Sequence, residues 1–115
     1  MTNEAKINAF TIAARAVGYH LTVVTNDASP AFTYLGNVDN YTEALQVALD
    51  AIAPAFPIRC ALGGLILGHL ASKPCALVDV DFSTDGIVDV TFFFGGFVTD
   101  AYHVHANSTI SRLLD

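Results

Sequence analysis

Five side chains towards the C-terminal end could do chemistry together: Asp79, Asp81, Asp89, His103 and His105. Residues two apart on a strand share a face, so Asp79 stands with Asp81 and His103 with His105. A carboxylate beside an imidazole can orient it as a general base. A His-x-His pair with a carboxylate as third ligand can bind one transition metal, which makes His103 and His105 candidate metal ligands. The spacing by itself specifies neither chemistry. A solvated strand face whose acids deter edge pairing, or a face docked on a partner, accounts for the same residues more simply.

What must position these groups is the stretch from Cys75 to His105, which has the pattern of a β-meander. Val78, Val80 and Phe82 alternate with Leu77, Asp79 and Asp81, and Val88, Val90, Phe92 and Phe94 alternate with Ile87, Asp89 and Thr91. A three-residue loop Thr84-Asp85-Gly86, with Gly86 in the left-handed conformation, keeps the even-numbered apolar residues on one face. It places Asp81 opposite Asp89, where like charges repel and invite a cation or a basic group. Gly95-Gly96 marks a second turn. A loop of Gly95-Gly96-Phe97 pairs Phe94 with Val98 and Val90 with Tyr102, and so brings His103 beside Asp89 and His105 beside Ile87. A two-residue Gly-Gly turn would instead swap the faces of the third strand and take the histidines away from the aspartates. In the first register Asp100 points towards the apolar side.

The rest of the chain supplies further elements. Ile7, Phe10, Ala14 and Val17 recur at helical spacing, so residues 3–17 are expected to form a helix, with Gly18 as its left-handed C-terminal stop. His20–Asn26 and Ala31–Leu35 read as two strands of a hairpin around the turn residues Asn26 to Pro30. A second helix is expected to begin near Asn40, capped by Asn40 with Glu43 three residues on, and to stop at Pro54. Residues 57–72 read as a third helix in spite of Gly63, Gly64 and Gly68, with Gly64 and Gly68 forming a smooth groove where another backbone could pack. Asn107-Ser108-Thr109 can cap a short terminal helix. The expectation is a single α+β domain over 1–115: two hairpin or meander units, about five antiparallel strands, with three to four helices packed on the apolar face of the sheet.

Composition narrows the partners. The 115 residues are 53% hydrophobic and 14% charged, with 11 acidic against 5 basic residues and a net charge of −6. Chain entropy is readily offset at that hydrophobic content, so disorder is not expected. No basic run exists to displace phosphate counterions, which disfavours nucleic acid and anionic membrane surfaces. The longest uncharged run, Cys60–Ser72, is shorter than the roughly 20 residues needed to span a bilayer. The first residues lack a basic and apolar leader pattern, which suits a cytoplasmic protein with Cys60 and Cys75 as free thiols; a Cys60–Cys75 disulfide is the alternative. No phosphate-loop, dinucleotide or hydrolase-elbow glycine pattern occurs, so no cofactor is expected. His69 reads as a core or boundary histidine, and Cys75 at a strand start as a buried, inert thiol.

Phe92-Phe93-Phe94-Gly-Gly-Phe97 adds apolar bulk at the second turn. Phe93 points away from the core face and Phe97 sits at the turn, where exposed aromatics commonly anchor interfaces. The leading expectation is a small acidic protein without enzymatic activity that binds another protein. Asp79, Asp81 and Asp89 would steer it to a basic surface and Phe93 and Phe97 would anchor it. Toxin-immunity proteins and phage-encoded inhibitors share this size and charge, an analogy of class and not of motif. A metal-dependent or acid–base enzyme using His103, His105 and the aspartates is the second expectation. A homo-oligomeric module joined through the glycine groove is the third.

Overall fold

The computed structural model describes residues 7–25, 32–52, 59–72, 76–84 and 86–114. Two helices and a seven-stranded antiparallel sheet are found among them. The elements are β1 (Ile7–Arg15), β2 (Gly18–Thr25), β3 (Phe32–Val38), α1 (Tyr41–Ile52), α2 (Arg59–Ser72), β4 (Leu77–Asp81), β5 (Ile87–Phe94), β6 (Phe97–His105) and β7 (Ile110–Arg112). The spatial order is β3-β2-β1-β4-β5-β6-β7. An N-terminal meander and a C-terminal meander thus join through antiparallel pairing of β1 with β4, and the helix pair makes the crossover between them.

The α+β class is as expected, but the element count is not: seven strands replace about five, and two helices replace three to four. The first correction is residues 7–15. Their Ile7, Phe10, Ala14 spacing suits a helix, yet Phe10 and Ile12 also alternate with Thr11 and Ala13, and a short apolar run satisfies both periods. The strand prevails because β2 pairs on one side and β4 on the other, which satisfies the backbone and leaves Phe10 and Ile12 0% and 1% exposed. Val17, the end of the supposed helical stripe, is 74% exposed at the β1–β2 turn. The remainder of the expected helix, residues 3–6, lies outside the described residues. The second correction is the C-terminus. Asn107 accepts the Thr109 amide in a local turn with Ser108 at φ 71°, and the chain enters β7 instead of a helix.

Both helices lie on one face of the sheet. Asn40 caps α1 as expected, its Oδ1 accepting the Glu43 amide at 2.8 Å. Ala44, Leu45, Ala48 and Leu49 face inward with Leu62 and Ile66 of α2. They meet Phe10, Ile12, Leu21, Val23, Val78, Val80, Val88, Val90, Phe92 and Val104 from the sheet. His69 of α2 is buried edge-on against Phe92 and near Tyr102. Arg59 and Asp50 tie the two helices at 2.6 Å on the outer surface. Each large side chain taken out of water contributes about 1.5–3 kcal/mol, so this layer dominates stability. No helix among the described residues is long and apolar enough to cross a membrane.

The glycines of α2 divide differently from expectation. Gly63 is the one in close approach, with Leu49 Cδ1 only 3.1 Å from where its Cβ would stand. Gly64 and Gly68 face outward with nothing within 4 Å. Gly18, at φ +127°, is the residue that closes the β1–β2 hairpin, and a Cβ there would collide with the Val38 carbonyl oxygen. Thermal or denaturant unfolding should therefore separate these positions. Gly64→Ala and Gly68→Ala each stabilise by about 0.5–1 kcal/mol, whereas Gly18→Ala destabilises by about 2 kcal/mol or more.

Candidate functional site

The β4–β5 hairpin forms with the expected register: Val80 opposite Val90, Asp81 opposite Asp89 and Asp79 opposite Thr91. Gly86 takes φ +76°, and the Ile87 amide bonds back to the Thr84 carbonyl at 3.3 Å. Asp85 lies outside the described residues. The even-numbered side chains enter the core, and Leu77, Asp79, Asp81, Ile87, Asp89, Thr91 and Phe93 stand half-buried on the opposite face.

The β5–β6 turn is the two-residue form, with Phe94 opposite Phe97 and both glycines at positive φ (63° and 83°), as a tight hairpin turn demands. By itself that turn would reverse the faces of β6. A β-bulge prevents it: Phe93 pairs with Val98 but Phe92 pairs with Asp100, so Thr99 is the extra residue. Thr99 Oγ1 donates to the Phe92 carbonyl at 3.2 Å across the irregularity. Beyond the bulge the register is Val90–Tyr102, Asp89–His103 and Ile87–His105. The histidines thus arrive beside the aspartates through a turn of one length and a compensating bulge.

Each polar group on this face has a distinct contact. His103 Nε2 lies 2.7 Å from Asp89 Oδ1, with the two side chains 32% and 39% exposed. Asp81 Oδ1 accepts the Ser83 amide at 2.7 Å, so the two facing carboxylates turn to different partners and their repulsion is eased internally. Thr11 Oγ1 donates to Asp79 Oδ1 at 2.9 Å across β1–β4. His105 Nε2 lies 2.9 Å from Ser111 Oγ of β7. A carboxylate–imidazole pair and an imidazole–hydroxyl pair are both present, but on different histidines whose rings are 6.2 Å apart and nearly perpendicular. A Ser–His–Asp relay needs all three on one imidazole, and they are not. Among the described residues no three His, Cys, Asp or Glu side chains converge as a metal-binding group.

The apolar candidates sit at the other end of the same sheet. A notch of about 330 Å³ lies there between the ends of β1 and β5, lined by Ala13, Arg15, Leu77, Phe93 and Phe94 among others. Phe93 lies within it, half-buried, and Phe97 is 76% exposed at the turn. Phe94 and Val98 beside them are 52% and 48% exposed. Cys60 is an exposed free thiol on α2, and Cys75 lies outside the described residues.

The strongest polar feature is not legible as a site in the sequence, although alternation already directs its side chain inward. Asp100 is 0% exposed on the core side, where its Oδ2 accepts the Tyr102 hydroxyl at 2.8 Å and its Oδ1 accepts the Ala101 amide and Arg112 Nε, both at 3.1 Å. Burial pushes its carboxyl pKa up, but the bonds from Tyr102, Arg112 and Ala101 and the charge of Arg112 outweigh it and hold the pKa below the ordinary value. Tyr102 is pushed above the usual phenol range by burial and by donating to Asp100. An acid directed at the core demands a cation, and Arg112, the one Arg that follows it, was the available signal.

No protein-family model, curated protein or solved structure matches the chain.

A carboxylate whose folded pKa is depressed stabilises the fold above its unfolded pKa of about 4, and the contribution disappears as pH falls through the folded value. Asp100→Asn should cost about 2–4 kcal/mol at neutral pH, because Arg112 and the Ala101 amide then meet a neutral amide. Acid titration of unfolding free energy should show wild type losing stability below about pH 4 and the variant showing a flatter profile there.

Proposed function

We propose that this is a small acidic protein without enzymatic activity that binds another protein in the cytoplasm and acts as an inhibitor or regulator by covering a basic surface. One observation carries the reading. Among the described residues, both helices cover the same face of the sheet, and the opposite face stands open with a polar end and an apolar end. On the open face Asp81 and Asp89 supply negative charge at one end, with Asp79 one row nearer the middle. Phe93 is an apolar anchor about 13 Å from Asp89 at the rise of a strand. Phe97, paired with Phe94 on the helix side of the turn, adds an exposed aromatic at the same end as Phe93. A net charge of −6 favours encounter with basic surfaces and disfavours nucleic acid. Half-exposed acids at one end and aromatic side chains at the other are the composition of an interface with steering charge and apolar anchors.

A second reading, an acid–base or metal-dependent enzyme, is favoured by the 2.7 Å contact of His103 with Asp89, in which a carboxylate orients an imidazole. Elemental analysis separates the two. A stoichiometric transition metal in the purified protein, lost on His103→Ala, favours the enzyme, and a metal-free protein removes the metal-dependent form.

Affinity capture from the native host identifies partners, and the variants test the surface. Asp81→Lys with Asp89→Lys should slow association with the captured protein by about 10-fold or more at low salt and flatten its salt dependence. Phe93→Ala should act mainly on the dissociation rate. An association rate unchanged in the charge-reversed variant, measured by stopped flow at two ionic strengths, counts against the reading.

A further inference from the structure

We infer that the notch between the ends of β1 and β5 binds a small amphipathic monocarboxylate. Arg15 holds the carboxylate, and the apolar chain lies over Ala13, Leu77 and Phe93. Size sets the first limit. The notch encloses about 330 Å³, at the small end of the range for ligand pockets. At about 30 Å³ for each water in the liquid, that is room for a ligand of about ten non-hydrogen atoms.

The walls select an apolar chain. Ala13, Leu77 and Phe93 are successive cross-strand neighbours on β1, β4 and β5, so their side chains form one row across the open face. The row spans two strand spacings, about 10 Å. Gly95 and Gly96 line the far side, where a Cβ at either position would meet nothing within 4 Å, so the mouth is open there. Water above such a row finds few hydrogen-bonding partners, and an apolar chain that displaces it gains. The next row inward is Thr11, Asp79 and Thr91, and a longer chain would meet these polar groups. The occupant is therefore short.

Charge selects the head group. Among the described residues, Arg59 is engaged by Asp50 and Arg112 by Asp100. Arg15 is exposed, lines the notch and makes no hydrogen bond or ion pair with a described residue. Regular alternation along β1 puts it on the same face as Ala13, one row nearer the end of the sheet. A guanidinium offers a carboxylate two parallel N–H donors. One such cation suits a monoanion, whereas a doubly charged phosphate would leave charge uncompensated beside apolar walls. The aspartates do not oppose it. The nearest row, at Thr11 and Asp79, is about 13 Å from Arg15 at the rise of a strand, beyond the Debye length of about 10 Å at 0.1 M salt.

The inference does not rest on the partner reading, although a ligand over Phe93 would compete with a partner anchored there. Titration of the full chain with sodium octanoate, followed by amide chemical shifts, tests it, with 1-octanol as the uncharged counterpart. Octanoate should move the amides of Ala13, Ala14, Arg15, Leu77 and Phe93 saturably, with a dissociation constant of about 0.1–1 mM. Octanol should bind the same residues about 5-fold more weakly. Arg15→Gln should lower the affinity for octanoate to that for octanol and leave octanol unchanged. Unmoved amides elsewhere in the spectrum of that variant show that it folds. The inference is overturned if octanoate at about 10 mM, well above that range, moves none of the notch amides. It is equally overturned if octanoate binds no tighter than octanol, or binds Arg15→Gln as tightly as wild type. A chain that binds octanoate and no basic protein, or the reverse, leaves one reading standing without the other.

Discussion

One residue, Thr99, decides which way β6 faces from Asp100 onward, and with it the pairing of β7. Strand side chains alternate with a period of two, so a shift of one position moves every later side chain to the opposite face. The tight Gly95-Gly96 turn sets β6 out of phase with the core, and the bulge at Thr99 restores it. With the bulge, Tyr102 and Val104 pack under the helices and His103 and His105 stand beside the aspartates. Without it, imidazoles would enter the apolar layer and Val104 would face water. The bulge also sends Asp100 inward, which is tolerated because Tyr102, Ala101 and Arg112 bind the carboxylate there. Burying a lone carboxylate would cost several kcal/mol, so the bulge and the Arg112 contact stand or fall together.

That coupling explains β7. The strand is three residues long and leaves Ile110 41% exposed, so apolar burial holds it only weakly. Polar contacts do more: Arg112 to Asp100, Ser111 to His105, and the Leu113 amide to the Ala101 carbonyl. One edge of the sheet is therefore closed by the same residues that fix the β6 register. The helix-covered face is an ordinary packed core, and the open face keeps polar and apolar groups apart at its two ends.

The sequence was most legible where turn chemistry and alternation agree. Residues 77–94 carry strict alternation around a glycine-terminated loop, and their register followed from it. Residues 7–15 were not legible, because Ile7, Phe10 and Ala14 suit a helix as well as Phe10 and Ile12 suit a strand. The deciding neighbour, β4, is distant: Thr11 meets Asp79 across 68 positions. The bulge was hidden for a similar reason. Gly95-Gly96-Phe97 as a loop and Gly95-Gly96 with a bulge place Asp100 and His103 identically, and they differ only beside the turn, where Val98 meets Phe93 and Phe97 meets Phe94. For the C-terminal residues, Asn107 is as good a turn former as a helix cap, and pairing with β6 chose the turn.

Cross-strand nuclear Overhauser contacts between β5 and β6 test this account most directly. The bulged register predicts backbone proximity of Phe92 with Asp100, Val90 with Tyr102 and Asp89 with His103. Contacts of Phe92 with Thr99, Val90 with Ala101 and Asp89 with Tyr102 would mean an unbulged strand. They would contradict both the polar face and the burial of Asp100.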